Sequence, residues 1–339
     1  MIKVGVVGIS GYSGYETLNI LLQHPSVRVC YVTANSTLGA VGDIWPQLRG
    51  KTNLICDKFD SKKALASCDL IFLAVPHATS MGIVPDLLKA GKHVIDLSGD
   101  YRLKTPSLYK KWYGTNHMDS RRLGKTVYGL PEIYREKIKK AQLIANPGCY
   151  PTAAILALAP LVSTHPKAIQ SIIIDAKSGV SGAGRKTNAS FMFCEVSDNF
   201  KAYKVTAHQH TPEIDQHLSV ISGGSAAVIF VPHLLPINRG ILETIYVTLT
   251  ERVKVAHIQS IYKKFYKIEP FVRVLPEGRQ TELKNVVGTN MCEISMASRE
   301  EANVLVITVS IDNLLKGAAG QAVQNMNIMC GFSEQEGLR

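Results

Sequence analysis

The chain is poor in the features that mark small secreted, metal-stapled and membrane proteins. Its 339 residues include 7 cysteines, an odd number, widely spaced and without a CxxC pair. That spacing argues against a disulfide framework or a zinc ribbon and fits reduced thiols in a cytoplasmic protein. No apolar run reaches bilayer-spanning length, and no basic segment leads into a long apolar stretch at the N-terminus, so neither a membrane span nor a secretory signal is expected. Charged residues are only 19%, and repeats and low-complexity runs are missing, which argues against disorder. The formal net charge is +11, but the lysines are scattered. The densest clusters, residues 137–140 and 263–264, carry no interleaved aromatics, so a solvated basic surface is expected rather than a nucleic-acid interface. One absence is local: no Asp or Glu stands between Glu16 and Asp43.

What is present is a large apolar fraction, 46%, and enough length for two domains. Residues 2–7 read as a buried strand, a glycine-rich turn follows, and residues 16–22 have helical apolar spacing. Strands are expected at 27–33, 70–75, 93–97 and 143–145, with a helix at 81–90. This alternation predicts a doubly wound, mostly parallel α/β sheet. After Pro147 the rhythm changes. A helix over 151–161 precedes longer strands at 172–176, 227–231, 242–249 and 304–311, whose alternation suits a mixed sheet. The tail from 314 to 329 reads as helical. The expected division is residues 1–147 with 313–339 against residues 148–312.

Gly8, Gly11 and Gly14 lie between a strand and a helix, where glycine lets backbone approach a pyrophosphate and the helix N-terminus offers unpaired N–H groups. The spacing is GxxGxxG, a weak signal that its context strengthens. The acid that binds an NAD ribose about 20 residues on is missing. In its place stand Thr33, Ala34, Asn35, Ser36 and Thr37, so NADP(H) is preferred over NAD(H).

The stretch Asn146-Pro147-Gly148-Cys149-Tyr150-Pro151-Thr152 puts Cys149 just past a parallel strand, at the start of an apolar helix that Pro151 helps to open. A helix N-terminus favours a thiolate. The other six cysteines read as small apolar fillers. His208 and His210, followed by Pro212 and Glu213, form a loop suited to proton transfer. A metal held by the two histidines lacks an evident third ligand, so none is expected. Ser178, Gly179, Ser181, Gly182, Gly184, Arg185 and Lys186 follow a strand and suit an anion cradle or a flexible surface loop. Arg102, at the end of the stretch from Asp96, suits an oxyanion.

Taken in order, these stretches resemble the N-acetyl-γ-glutamyl-phosphate reductases, relatives of aspartate-semialdehyde dehydrogenase. The likeness covers residues 8–14, 96–103, 128–132, 146–152, 177–185, 208–214 and 312–322. It implies a Rossmann-like NADP-binding domain, a mixed α/β catalytic and dimerisation domain, and a homodimer or homotetramer. It also implies NADPH-dependent reduction of an acyl phosphate in arginine biosynthesis. By that resemblance Cys149 is the nucleophile, His210 (with His208) the acid/base, and Arg102, Asn146, Ser181 and Glu213 bind substrate. The cofactor falls to Gly8, Ser10, Gly11, Tyr12, Ser13, Gly14, Ser36, Pro76, Ser178, Gly179, Gly182, Asn313, Lys316, Gly317 and Ala318. Many relatives carry an arginine where this chain has Asn35-Ser36, which leaves the 2′-phosphate contacts open. Rival expectations are an aspartyl or carrier-linked acyl phosphate as substrate, or a catalytically silent NADP-binding regulator.

Overall fold

The computed structural model describes residues 1–185 and 188–338. It divides into two compact units: Met1–Pro147 together with the C-terminal residues from Ala318, and Gly148–Gly317. The first is built on six strands: β1 (Ile2–Val7), β2 (Val27–Thr33), β3 (Leu70–Leu73), β4 (His93–Asp96), β5 (Val127–Tyr128) and β6 (Leu143–Ala145). Their spatial order is β2-β1-β3-β4-β6-β5, with every pairing parallel. Strands buried on both faces read as continuous apolar runs, and β3 (LIFL) is buried throughout. The winding reverses between β1 and β3, so the loops after these two strands flank the crevice where such sheets bind ligands.

Helix α1 (Tyr12–Leu21) packs against the C-terminal helix Ala319–Cys330. That last helix carries four buried amides. Asn325 donates to the Gly129 carbonyl and to Asn146 Oδ1, and Asn327 meets His24. The expected helix from 314 begins instead at Ala319. Asp312 Oδ1 accepts the backbone N–H groups of Leu314 and Leu315 at 2.8 and 3.2 Å, which holds residues 312–315 in a turn. Asn313, Lys316 and Gly317 fall in the second unit.

The second unit is a mixed sheet of seven strands: β7 (Ile169–Gly179), β8 (Lys201–Ala202), β9 (Ile229–Leu235), β10 (Ile241–Leu249), β11 (Val272–Val274), β12 (Cys292–Arg299) and β13 (Val304–Ile311), in the order β8-β9-β7-β10-β13-β12-β11. β12 and the short β11 went unread in the sequence. The polar residues Glu293, Ser295 and Ser298 interrupt the apolar pattern of β12, yet Glu293 and Ser295 are buried against Thr281 and Arg273.

The longer helices of this unit among the described residues are α2 (Cys149–Thr164), α3 (Thr211–Ser222) and α4 (Val255–Phe265). α2 is apolar all round and buried from Tyr150 to Val162, as a central helix must be. Pro160 lies inside it and cannot donate to the Leu156 carbonyl. The Tyr266 hydroxyl donates to Leu156 O instead, and the Tyr262 hydroxyl to Ala157 O. The Tyr266 phenol thus takes the place of the N–H that the proline lacks.

Glu243 is out of keeping with its surroundings. It sits in β10 on the face shared by Ile241, Ile245 and Val247, fully buried, and neither carboxylate oxygen has a hydrogen-bond partner among the described residues. Burial pushes its carboxyl well above the usual range, and Lys177 opposes this only in part. A raised folded pKa means that the favourable contribution is complete below the unfolded carboxyl pKa and is lost as pH rises through the folded value. Glu243→Leu is therefore expected to stabilise the protein by about 1–3 kcal/mol near neutral pH, and the gain over wild type should shrink as the solution is acidified. Denaturant unfolding of both proteins from acid to neutral pH checks this; a variant less stable than wild type at neutral pH refutes it.

Candidate active site and cofactor loop

In the first unit the glycine turn follows β1 directly. Gly8 has φ +102°, and a Cβ added there would lie 2.2 Å from the Ala74 carbonyl oxygen. A Cβ on Gly14 would lie 2.2 Å from Gly8 O. Both glycines are demanded by close backbone approach. At Gly11 the nearest atom to an added Cβ is Gly8 O at 3.8 Å, so packing does not demand glycine there, and a bare backbone on the open side of the turn suits a pyrophosphate. The N–H groups of Gly8 and Ile9 both donate to Thr33 O, at 2.8 and 3.0 Å, which ties the turn to the end of β2. Tyr12 and Ser13 open α1, and Ser10 lies in the turn just before its N-cap Gly11. Asn35 and Ser36 are exposed beyond β2. The turn is a good fit for a dinucleotide phosphate.

The loops after β3 and β4 are bound together. Ala78, two residues past Pro76, has φ +65°, an unfavourable value for a side chain with a Cβ. Its N–H donates to Asp100 Oδ1 at 2.7 Å, and Tyr109 donates to the same oxygen at 2.8 Å. Ser80 Oγ bridges Asp96 and Asp100 at 2.8 and 2.9 Å. Burial, with the neighbouring Asp100 charge second, pushes the Asp96 carboxyl up to about 6. Arg102 is buried, and its Nε and Nη2 donate to the carbonyls of Asn146 and Leu97, both at 2.8 Å. Its fork is thereby fixed at the C-terminal ends of β4 and β6. Asn146 is fully buried, with its amide shared between Ala318 O and Asn325.

In the second unit Cys149 is the first residue of α2, with Gly148 as N-cap, and is half-buried. Gly148 N–H donates to Glu213 Oε1 at 2.8 Å, and Gly148 O accepts from the N–H and hydroxyl of Thr152 at 2.9 and 3.0 Å. Glu213, fully buried in the first turn of α3, thus holds the residue that precedes the thiol. A Cβ on Gly148 would lie 2.5 Å from His210 Nε2, and one on Gly317 would lie 2.8 Å from Cys149 Cβ. Both glycines leave room around the Cys149 segment, one for the imidazole and one for the thiol's own carbon.

The two histidines differ in environment. His208 lies among Tyr150, Tyr203 and Phe230, with ring centroids 5.5 to 5.6 Å away. Burial, assisted by Lys204, lowers its pKa to about 4. Its Nδ1 accepts the His210 N–H at 3.1 Å, so a neutral ring carries its proton on Nε2. His210 is the residue whose ring reaches Gly148. The aromatic enclosure of Tyr150, Tyr203 and Phe230 was not foreseen, because its members are far apart in sequence.

The loop after β7 is fixed by its own backbone. Gly179 N–H donates to Gly240 O at 2.9 Å, and Val180 and Ser181 donate to Ile237 and Asn238. Asn313 accepts from Gly240 N–H at 2.7 Å and donates to Ser181 Oγ at 3.0 Å. Gly182 lies beside Ser178 Oγ, which donates to Gly179 O. Lys316 is fully buried, with its ammonium 5.7 Å from the Phe271 ring centroid. Arg185 is exposed, and Lys186 lies outside the described residues. Arg239, which the sequence reading passed over, pairs with Asp312 at 3.1 Å and ties the 238–240 turn to the 312–317 loop. Among the other cysteines, burial raises the thiols of Cys56, Cys68 and Cys330 to about 11, 12 and 11, which keeps them protonated. Among the described residues no group of three or more His, Cys, Asp or Glu is placed to hold a metal, and no helix is long and apolar enough to cross a membrane.

Residues 3–141 match the family described as semialdehyde dehydrogenase, NAD binding domain, and residues 149–313 match its dimerisation domain. The N-acetyl-gamma-glutamyl-phosphate reductase of Desulfotalea psychrophila is 50% identical over 100% of this chain and 98% of its own length. The chain belongs to the N-acetyl-γ-glutamyl-phosphate reductase family. The reductase of Geobacter metallireducens is 48% identical over the same shares. Among solved structures, aspartate semialdehyde dehydrogenase with NADP from Candida albicans aligns with TM-score 0.74 at 15% identity, over 97% of this chain and 98% of that one. The Vibrio cholerae aspartate semialdehyde dehydrogenase II complexed with ASA aligns with TM-score 0.73 at 16% identity, over 98% of both chains. These two share the fold. The Rossmann-like parallel sheet and the mixed catalytic-domain sheet expected from the sequence are thus both present.

Proposed function

We propose that this reductase-family chain converts N-acetyl-γ-glutamyl phosphate and NADPH to N-acetylglutamate 5-semialdehyde, phosphate and NADP⁺, as a step of arginine biosynthesis. The observation that carries the reading is a single half-buried cysteine at the N-terminus of a buried helix, with a histidine ring packed on the preceding glycine.

The Cys149 thiolate attacks the acyl carbon. The C–S bond forms as the C–O bond to phosphate breaks, giving a thioester and inorganic phosphate. Bound NADPH supplies the hydride that reduces this thioester. Cys149 then leaves as thiolate while His210 protonates or deprotonates the reacting oxygen and sulfur as each step requires. His208 is a positioning residue that holds the His210 backbone. Glu213 positions Gly148 and through it the nucleophile, in addition to the substrate role implied by the family. Arg102 is assigned to the substrate phosphate, with Asn146 and Ser181 beside the substrate. The cofactor is assigned to the Gly8–Gly14 turn, Ser10, Tyr12, Ser13, Ser36 and Pro76, and to Ser178, Gly179, Gly182, Asn313, Lys316, Gly317 and Ala318.

A cytoplasmic location is part of this proposal, in keeping with seven widely spaced cysteines that form no CxxC pair. A homodimer, or a tetramer built from dimers, is supported by the outer face of the mixed sheet. There Ile173, Ile229 and Tyr246 are 37%, 51% and 40% exposed, while the alternate residues on the inner face are buried.

The test is the reverse reaction: N-acetylglutamate semialdehyde, phosphate and NADP⁺, followed by NADPH absorbance. Phosphate-dependent NADPH formation is expected. Faster turnover with aspartate semialdehyde, or NADP⁺ binding without turnover on either aldehyde, would replace the substrate or the enzymatic reading.

A further inference from the structure

The peptide between Ile9 and Ser10 is the middle of the glycine turn, and the two ends of a trans peptide point in opposite directions. A turn that presents an N–H to a phosphate must send the carbonyl of the same peptide to the other side, where it needs a donor if it is buried. Ile9 is fully buried, and its carbonyl accepts the indole N–H of Trp45 at 2.6 Å, also in a buried position. Trp45 comes from the segment after the exposed 35–38 loop, between the short helices Val41–Ile44 and Pro46–Leu48. Its ring also lies 4.4 Å from that of Tyr15 and 6.4 Å from that of Tyr12, both on α1.

We propose that Trp45 is a positioning residue for the cofactor: its indole N–H fixes the Ile9–Ser10 peptide so that Ser10 N–H faces the dinucleotide phosphate. It also couples this turn to the loop after β2, where the ribose and its 2′-phosphate are assigned. The inference rests on the NADP(H) reading of the glycine turn.

Trp45→Phe keeps an aromatic ring and removes the donor, leaving the Ile9 carbonyl buried without it. Loss of such a bond is expected to raise the Kd and KM for NADPH about 5- to 20-fold, with KM for the acyl phosphate within about twofold and the main effect on KM rather than kcat. The chain has two tryptophans, so Trp112→Phe isolates Trp45 emission, and NADPH titration should quench it. NADPH binding by Trp45→Phe is read by calorimetry, and its fold by thermal unfolding. Equal NADPH affinity in wild type and Trp45→Phe overturns the role given to Trp45 and leaves the cofactor reading standing. So does a loss of affinity no larger than that caused by a Tyr15 substitution of equal destabilisation. Absence of NADPH binding in wild type overturns both together.

Discussion

Cys149→Ser is expected to lower kcat in the reductase direction by more than about 10³-fold while leaving NADPH affinity within about twofold. Cys149 opens α2, whose N-terminal dipole favours negative charge, and a thiol reaches its anion far more readily than an alcohol. Serine keeps the size and the hydrogen-bonding capacity of the position, so the fold and the glycine turn of the other unit should be untouched. The same substitution should abolish the burst of phosphate released on mixing enzyme with acyl phosphate in the absence of NADPH, because that burst reports thioester formation alone. Turnover near the wild-type rate would end the thioester proposal. A retained burst with lost turnover would move the role of Cys149 from attack to reduction.

His210→Ala is expected to slow turnover by about 10²–10⁴-fold, with the larger share in kcat. The two histidines stand two residues apart, yet only His210 packs on Gly148, whereas His208 is enclosed by Tyr150, Tyr203 and Phe230. Because burial holds His208 near pKa 4, it stays neutral across the working range and cannot produce a titration between pH 5 and 8. His208→Ala should therefore cost stability and less activity, and should preserve the shape of the pH profile of kcat/KM. His210→Ala should remove a limb of that profile. A larger loss of kcat at His208, or an unchanged profile in His210→Ala, would reverse the assignment.

The strand over 27–33 and the strand over 304–311 coincide with β2 and β13, because β-branched residues and clear turn signals bound them. The helix start beside Cys149 was legible from Pro151, although the helix begins two residues earlier than the expected 151. β12 was not, because the buried Glu293 and Ser295 look like solvent-facing residues until Thr281 and Arg273 are found against them. The helix expected from 314 was delayed to Ala319 by Asp312, whose capping of Leu314 and Leu315 is a choice between two local hydrogen-bonding schemes that apolar periodicity does not register.

The sequence alone determined the parallel and the mixed sheet, the glycine turn, the nucleophile candidate and the family, because each is written in neighbours along the chain: apolar period, glycine spacing, a proline at a helix start. Tertiary structure alone decided which histidine meets the cysteine segment, that Glu213 holds Gly148, and that Trp45 caps the glycine turn. Those outcomes depend on contacts between residues 36 to 65 positions apart, and burial, known only from the folded chain, is the largest cause of the lowered pKa of His208 and the raised pKa of Glu243.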